Sequence, residues 1–299
     1  MDRKKIKGVR LGIDMGGTYT KFAIFTDGEK TQGEILPTPK ESAAEIVAFL
    51  TEKCRELTQK FAVKRIGIGV PGVVKNGKVF ADNLPLWDVP LYDLLKRQIK
   101  KPIAIDNDAN CAALAEVYSV GPSCKNLVMV TIGTGIGGGI VLDGRIRRGR
   151  GGMGEIGHMS IEATSGEICS CGFRGCWESL ASASALVRSA EDAAAKQPGS
   201  FLAEMQRQNG RLDGILIFRA IRNGCPVAKD VFSDYLDRLA VGIKNLIYIF
   251  DPDVVVLAGG VTKDGGLFID DLRERVGTDV PIRISTLQNE AGVRGAALL

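Results

Sequence analysis

The chain contains a single histidine, His158, and three of its seven cysteines, Cys169, Cys171 and Cys176, follow it closely. Three thiolates and one imidazole form a closed tetrahedral zinc site of the structural kind, because four protein ligands leave no open position for catalysis. The Cys-x-Cys spacing is tighter than a usual finger knuckle, so unliganded reduced thiols are the competing reading. The short separations favour zinc. The ion would clamp a loop with little core of its own, fix the His158 ring and hold the neighbouring Glu155 and Glu178.

A second constellation is Asp106-Asn107-Asp108-Ala109-Asn110, at the end of an apolar run and the start of a helical one. Strand C-termini in α/β folds face the ligand crevice. A carboxylate there can take the proton of an attacking hydroxyl, as phosphoryl transfer requires. Asp108 or Asn110 can equally be a helix N-cap, and spacing alone does not separate base from cap. Asp14 precedes Gly16-Gly17-Thr18. A carboxylate beside a phosphate-binding turn needs a cation between them, which points to water-mediated Mg²⁺; a plain turn aspartate is the alternative.

Glycine turns let the backbone approach an anion and aim N–H groups at it. Gly133-Thr134-Gly135-Ile136-Gly137-Gly138 fits G-x-G-x-x-G, but a dinucleotide site needs that motif to open a helix. Here Gly139-Ile140-Val141-Leu142-Asp143-Gly144 follows, a strand and a hairpin turn, so the dinucleotide reading fails. Walker-type G-x-x-x-x-G-K-[ST] is absent. Leu11–Gly28 and Leu127–Gly144 resemble each other: the offset that places Gly17-Thr18 on Gly133-Thr134 also places Asp27-Gly28 on Asp143-Gly144. Each reads as strand, glycine turn, strand and Asp-Gly hairpin. A repeated βββ start predicts two related lobes whose glycine turns grip one nucleotide from both sides.

The elements between these motifs alternate α and β. Helical periodicity covers 41–61, with Ile46, Phe49, Leu50, Cys54 and Leu57 on one face. Strands are predicted at 65–70, 102–106 and 253–257, the last running into Ala258-Gly259-Gly260. Helices are predicted at 91–99, 109–118, 183–196, 227–249 and 291–299, with a hinge near Gly121-Pro122. At 299 residues the chain suits two domains. We expect an N-terminal α/β lobe over 1–120, with the last helix, 290–299, packing back on it. A C-terminal lobe over 121–289 would carry the zinc motif.

Apolar residues make up 45% and charged residues 25%, ordinary for a soluble globular protein. No apolar run reaches membrane-span length, and no secretory signal follows the basic start. These features predict a cytoplasmic protein without a membrane or nucleic-acid partner. Net charge is only +4. The cluster Arg145, Arg147, Arg148 and Arg150 reads as a solvated basic loop rather than a nucleic-acid patch. Cys54, Cys111, Cys124 and Cys225 read as small core hydrophobes. An odd cysteine count in a long chain argues against a secreted disulfide framework.

Together these motifs resemble the ROK family of bacterial sugar kinases and sugar-responsive repressors, in the actin-like ATPase superfamily. The resemblance covers nearly the whole chain. It rests on Asp14-Met15-Gly16-Gly17-Thr18, Gly69-Val70-Pro71-Gly72, Asn83-Leu84 with Trp87, Asn107-Asp108-Ala109-Asn110 and Gly133-Thr134-Gly135. It rests further on Glu155-Ile156-Gly157-His158, the run from Cys169 to Glu178, and Leu257-Ala258-Gly259-Gly260-Val261. It implies a two-lobed, actin-like (ribonuclease H-like) α/β fold with duplicated βββαβα lobes and a zinc-clamped loop. It also implies an ATP-dependent hexose kinase, with glucose 6-phosphorylation the leading case, because Asn83 to Pro90 looks like the family's glucokinases.

On that resemblance Asp108 is the base, and Asn83, Asn107, Glu155, His158 and Glu178 hold the sugar. Asp14, Gly16, Gly17, Thr18, Thr134 and Gly135 grip Mg-ATP, Gly259 and Gly260 floor the adenosine, and the assembly is a homodimer or homotetramer. Other hexoses and N-acetylhexosamines remain open as substrates. A sugar-binding sensor without turnover and a zinc hydrolase are the alternatives from other classes. Repressors of the family carry a helix-turn-helix domain ahead of the kinase-like part; with the Asp14 motif so near the start, a repressor is not expected.

Overall fold

The computed structural model describes residues 7–164 and 167–299, so most of the basic start lies outside the described residues. In chain order the first elements are β1 (Val9–Met15), β2 (Tyr19–Thr26), β3 (Glu29–Pro37), α1 (Ala43–Lys60), β4 (Arg65–Val70), β5 (Val73–Lys75), β6 (Lys78–Ala81) and β7 (Leu86–Val89). Then come α2 (Leu91–Gln98), β8 (Ile103–Asn107), α3 (Asp108–Val120), β9 (Leu127–Ile132), β10 (Ile136–Leu142) and β11 (Arg145–Ile146). The remainder is α4 (Trp177–Ala181), α5 (Ala183–Lys196), α6 (Phe201–Asn209), α7 (Gly214–Arg222), α8 (Pro226–Phe250), β12 (Val254–Ala258), α9 (Ile269–Val276), β13 (Ile282–Ile284) and α10 (Ala291–Leu298).

The internal repeat seen in the sequence is a repeat of topology. One five-stranded sheet has the order β3-β2-β1-β4-β8 and the other β11-β10-β9-β12-β13. In both, an antiparallel meander is extended by two further strands beside its first one. Both Asp-Gly hairpins place two residues at positive φ, Asp27 (50°) with Gly28 (91°) and Asp143 (56°) with Gly144 (70°). That double left-handed conformation matches the twist of the flanking strands, which is why this dipeptide recurs in two-residue hairpins. A third, small sheet, β5-β6-β7, had no clear sequence signal.

Two compact units divide the chain. The first comprises 1–129, 139–154 and 286–299, and the second 130–138 and 155–285. In the first unit, strand alternation separates two faces. Leu11, Ile13, Ile66 and Ile68 point into a core shared with Ile46, Leu50, Cys54 and Leu57 of α1. The alternate residues Gly12, Asp14, Gly67 and Gly69 face α3 and α10. A methyl group on Gly12 would strike Val293 O, one on Gly67 would strike Ala296 O, and one on Gly295 would strike Cys111 O. Bare glycine on strand and helix therefore lets α10 lie backbone-to-backbone on the sheet. Arg10 Nη1 donates to Ala297 O at 3.2 Å, and Arg294 Nη1 donates to Gly28 O at 3.0 Å, tying the helix down.

In the second unit Trp177 is fully buried. Its Nε1 donates to Arg238 O of α8 at 3.1 Å, and the indole occupies the space that a side chain on Gly242 would need. The helices α4, α5, α7 and α9 pack on α8, whose Leu236, Leu239, Ile243 and Leu246 are buried. Cys54, Cys111, Cys124 and Cys225 are all buried and in no disulfide. Burial pushes Cys54 up to about 12 and Cys111 well above the ordinary thiol range, so these cysteines serve packing.

Candidate active site

The strands β1, β4 and β8 are parallel neighbours, and their pairing puts Asp14 opposite Gly69 and Gly69 opposite Asp106. Three C-terminal strand ends therefore share one sheet edge. Asp14 and the Asp106–Asp108 turn lie two strands apart, about 10 Å at the usual spacing between strands.

The glycine turn after β1 closes through Gly16 N donating to Tyr19 O at 2.9 Å. Thr38 braces it, its Oγ1 donating to Gly16 O at 2.8 Å. Gly17 packs against the Asn83 amide: a methyl there would lie 3.0 Å from Nδ2. Thr18 and Asn83 are exposed. The Asp14 side chain is only 15% exposed, with Lys21 Nζ 3.3 Å away. Burial raises its carboxyl above the ordinary range, and Lys21 offsets part of that. Gly292 of α10 sits directly against the same carboxylate, where a methyl would come within 2.7 Å.

At the second turn the cap belongs to Asn107, whose side chain accepts from Asn110 N at 3.0 Å. This corrects the reading of Asp108 or Asn110 as the cap. Asn107 Nδ2 donates to Gly72 O at 2.8 Å. Asp108 becomes the first helical residue, with Oδ1 accepting from Ala109 N at 2.8 Å. Behind it, Asp106 is buried (2% exposed). Its Oδ1 accepts from Asn107 N at 2.8 Å and Asn110 Nδ2 at 3.0 Å. Its Oδ2 meets Arg148 Nε at 2.6 Å and Nη2 at 2.5 Å. The basic segment is therefore not simply solvated: Arg148 pairs with a buried acid and Arg147 with Asp143 at 2.6 Å. The Arg148 contact spans 42 positions, and no local pattern announces it.

The zinc-motif residues come together in the second unit. One ligand atom each from His158, Cys169, Cys171 and Cys176 lies within 4.8 Å of all the others. His158 Nδ1 is 3.4 Å from Cys169 Sγ, and Cys171 and Cys176 Sγ are 3.6 Å apart. Ligands about 2.1–2.3 Å from a tetrahedral zinc are separated by roughly 3.4–3.8 Å, so the donor set fits the ion. The Phe173 backbone N–H lowers the exposed Cys171 thiol, while desolvation pushes Cys176 up to about 12. With Nδ1 facing the thiols, His158 Nε2 is on the other side of the ring. His158 ends a 3₁₀ turn, Ile156–His158, that begins after the exposed Glu155. The turn lies flat on β10 because Gly157 leaves no side chain to strike Ile136 O.

Trp177 anchors the far end of the loop and sets Glu178. Its Oε2 accepts from Ile136 N at 2.9 Å, and a methyl on Gly135 would collide with it. Glu178 thus braces the Gly133–Gly135 turn, a contact the sequence did not reveal. Ala183 N donates to Gly133 O at 2.9 Å from the start of α5. Thr134 is exposed beside it. After β12, Gly259 takes φ 101°, and a side chain there would strike Ile132 O. Gly259 and Gly260 therefore adjoin the end of β9, and both are exposed.

No described helix is long and apolar enough to cross a membrane. The ROK family model matches residues 10–299. A glucokinase of Halalkalibacterium halodurans is 34% identical across 97% of this chain and 94% of its own length. The crystal structure of ROK hexokinase from Thermus thermophilus superposes with a TM-score of 0.83 at 33% identity, covering 97% of both chains. A ROK family glucokinase from Streptomyces griseus, solved in complex with glucose and AMPPNP, superposes with a TM-score of 0.79 at 31% identity, over 97% of this chain and 98% of its own. With its mixed α/β fold, its motifs and these likenesses in agreement, the chain belongs to the ROK family.

Proposed function

We propose that the protein is an ATP-dependent hexose kinase that phosphorylates the 6-hydroxyl of glucose, with Asp108 as the general base. The observation that carries this reading is the shared sheet edge. Asp14 and the Asp106–Asp108 turn end parallel strands that flank β4 in register on either side, and Asn107 does the capping, so the helix does not need Asp108 as its N-cap. A spacing of about 10 Å between them leaves room for a triphosphate on one side and the acceptor hydroxyl on the other. Named relatives of this kind support the choice of glucose.

On this reading Asp108 accepts the proton of the 6-hydroxyl as its oxygen attacks the γ-phosphorus. The bond from the γ-phosphorus to the bridging oxygen breaks, and ADP leaves. Asn83, Asn107, Glu155, His158 and Glu178 hold the ring hydroxyls. Neutral amides and acidic acceptors suit a polyol, and a site built for particular hydroxyls rejects an isomer lacking them. Asp14, with the N–H groups of the Gly16–Thr18 and Thr134–Gly135 turns, holds the triphosphate and its Mg²⁺, and Gly259-Gly260 receives the adenosine. Mg²⁺ neutralises charge on the phosphate oxygens when bound. His158, Cys169, Cys171 and Cys176 would hold zinc, which stiffens the loop between Glu155 and Glu178. The protein works in the cytoplasm as a homodimer or homotetramer.

The test is sugar-dependent ADP release from Mg-ATP across hexoses and N-acetylhexosamines, with Asp108→Asn alongside. Release is expected with glucose in the parent and to fall by about 10²–10⁴-fold in the variant, with glucose binding retained. Release with a different sugar alone would overturn the choice of glucose. Sugar binding without release from any sugar would make the protein a sensor.

A further inference from the structure

We infer that Arg148 is a positioning residue for phosphoryl transfer, latching the β8–α3 junction that presents Asp108; this rests on the reading of Asp108 as the base. Asp106 is the hub. Four N–H groups converge on its buried carboxylate, two neutral ones on Oδ1 from Asn107 and Asn110 and two from the Arg148 guanidinium on Oδ2. The two neutral donors belong to residues flanking Asp108, one on either side. The carboxylate thus spans the turn that carries the base from behind, and its orientation sets the direction of the first residue of α3.

Held only by the Asn107 and Asn110 groups, the buried acid would have no cation beside it, and an uncompensated buried charge is strongly destabilising. Among the described residues, Arg148 is the cation paired with it. The guanidinium is itself held by a compact loop. Gly151 N and Met153 N both donate to Arg148 O, at 2.8 and 3.3 Å. Arg147 N donates to Ile140 O at 2.8 Å, fixing the loop to β10. Gly149, Gly151 and Gly154 all take positive φ (54°, 120° and 110°) to make the bend, and Gly151 lies 3.0 Å, by its missing methyl, from Lys75 of β5. A loop that winds so tightly around one carbonyl delivers its side chain to one place. Charge-assisted contacts of this kind are stronger than neutral hydrogen bonds, and the rigid guanidinium aims two fixed N–H groups at Oδ2, whereas a lysine offers a compact ammonium on a flexible stem.

The distinguishing experiment compares Arg148→Met, Arg148→Lys and Asp108→Asn in the full, zinc-loaded chain, by steady-state kinetics for glucose and Mg-ATP and by thermal melting. Misplacing a reacting group by about 1 Å costs on the order of 10²-fold. For Arg148→Met we expect kcat to fall by about that factor with both KM values within threefold, and Arg148→Lys to recover part of kcat. Should Arg148→Met fail to fold, Arg148→Lys decides alone, through a lowered kcat in a protein that melts cooperatively. A wild-type kcat in the folded variants overturns the inference. A rise in KM for ATP at unchanged kcat also overturns it, making Arg148 a phosphate ligand instead. Asp108→Asn separates the two levels: if it retains turnover, the base assignment itself is wrong and the latch has no object. If it is inactive while Arg148→Met is fully active, only the latch is refuted.

Discussion

Replacing Gly135 by alanine tests whether Glu178 couples the glycine turn to the zinc loop. Gly135 lies outside the left-handed backbone region, so alanine brings no backbone strain. Its methyl nevertheless falls on Glu178 Oε2, the oxygen that accepts from Ile136 N at 2.9 Å. Overpacking costs about 1–3 kcal/mol and loss of a hydrogen bond to a charged group about 1.5–3 kcal/mol. Stiffening of the unfolded chain returns about 0.4–1 kcal/mol. The net destabilisation is about 1.5–5.6 kcal/mol. At about 2–4 °C per kcal/mol for a domain of 150–250 residues, the thermal midpoint drops by about 3–22 °C. Glu178 is also proposed to hold the sugar, so the KM for glucose should rise, as read by coupled ADP release. Gly133→Ala is the internal control, because a methyl there meets nothing within 4 Å; its midpoint should stay close to that of the parent. Equal midpoints and equal glucose KM in Gly135→Ala and the parent would refute the coupling.

Two further outcomes follow from the site geometry. The Asp14 carboxyl is raised by burial, so its ionisation weakens the ligand-free fold, and its favourable contribution is lost as pH rises from the ordinary carboxylate range through the raised value. Asp14→Asn should therefore melt higher than the parent at neutral pH, with the gap closing in acid, while turnover is lost; a variant that melts lower at neutral pH would contradict this. Stoichiometric zinc should be found by elemental analysis and be absent in Cys171→Ala, with a lower thermal midpoint and increased proteolysis between Glu155 and Glu178, because the metal supplies folding energy to a loop with little core. A metal-free parent that resists proteolysis there would refute the clamp.

Local chemistry made much of this molecule legible from its residues. The Asp-Gly pairs must adopt left-handed turns, so Asp27-Gly28 and Asp143-Gly144 betrayed two matching hairpins. Strongly periodic helices, such as α1 with its Ser42 cap accepting from Glu45 N at 3.2 Å and α8 with its N-terminal Pro226, were readable because period and caps act within a few residues. The clustering of His158, Cys169, Cys171 and Cys176 was legible because sulfur and imidazole at short separation have few other uses. The capping role was open in the sequence because Asn107, Asp108 and Asn110 are all capable of it; only the backbone turn at the end of β8 decided for Asn107.

The tertiary structure alone decided the contacts between distant positions. Arg148 looked like one arginine of a solvated basic stretch. Its buried partner, Asp106, is 42 residues away, and burial turns a surface charge into an obligatory counter-ion. Likewise no sequence pattern marks Gly292, Gly295, Gly12 and Gly67, yet together they let the last helix rest against Asp14 and the central strands. Sequence patterns report what a residue does within its own turn or strand. What it touches across the fold depends on which faces the sheet buries, and that is settled only when the strands pair and the helices close over them.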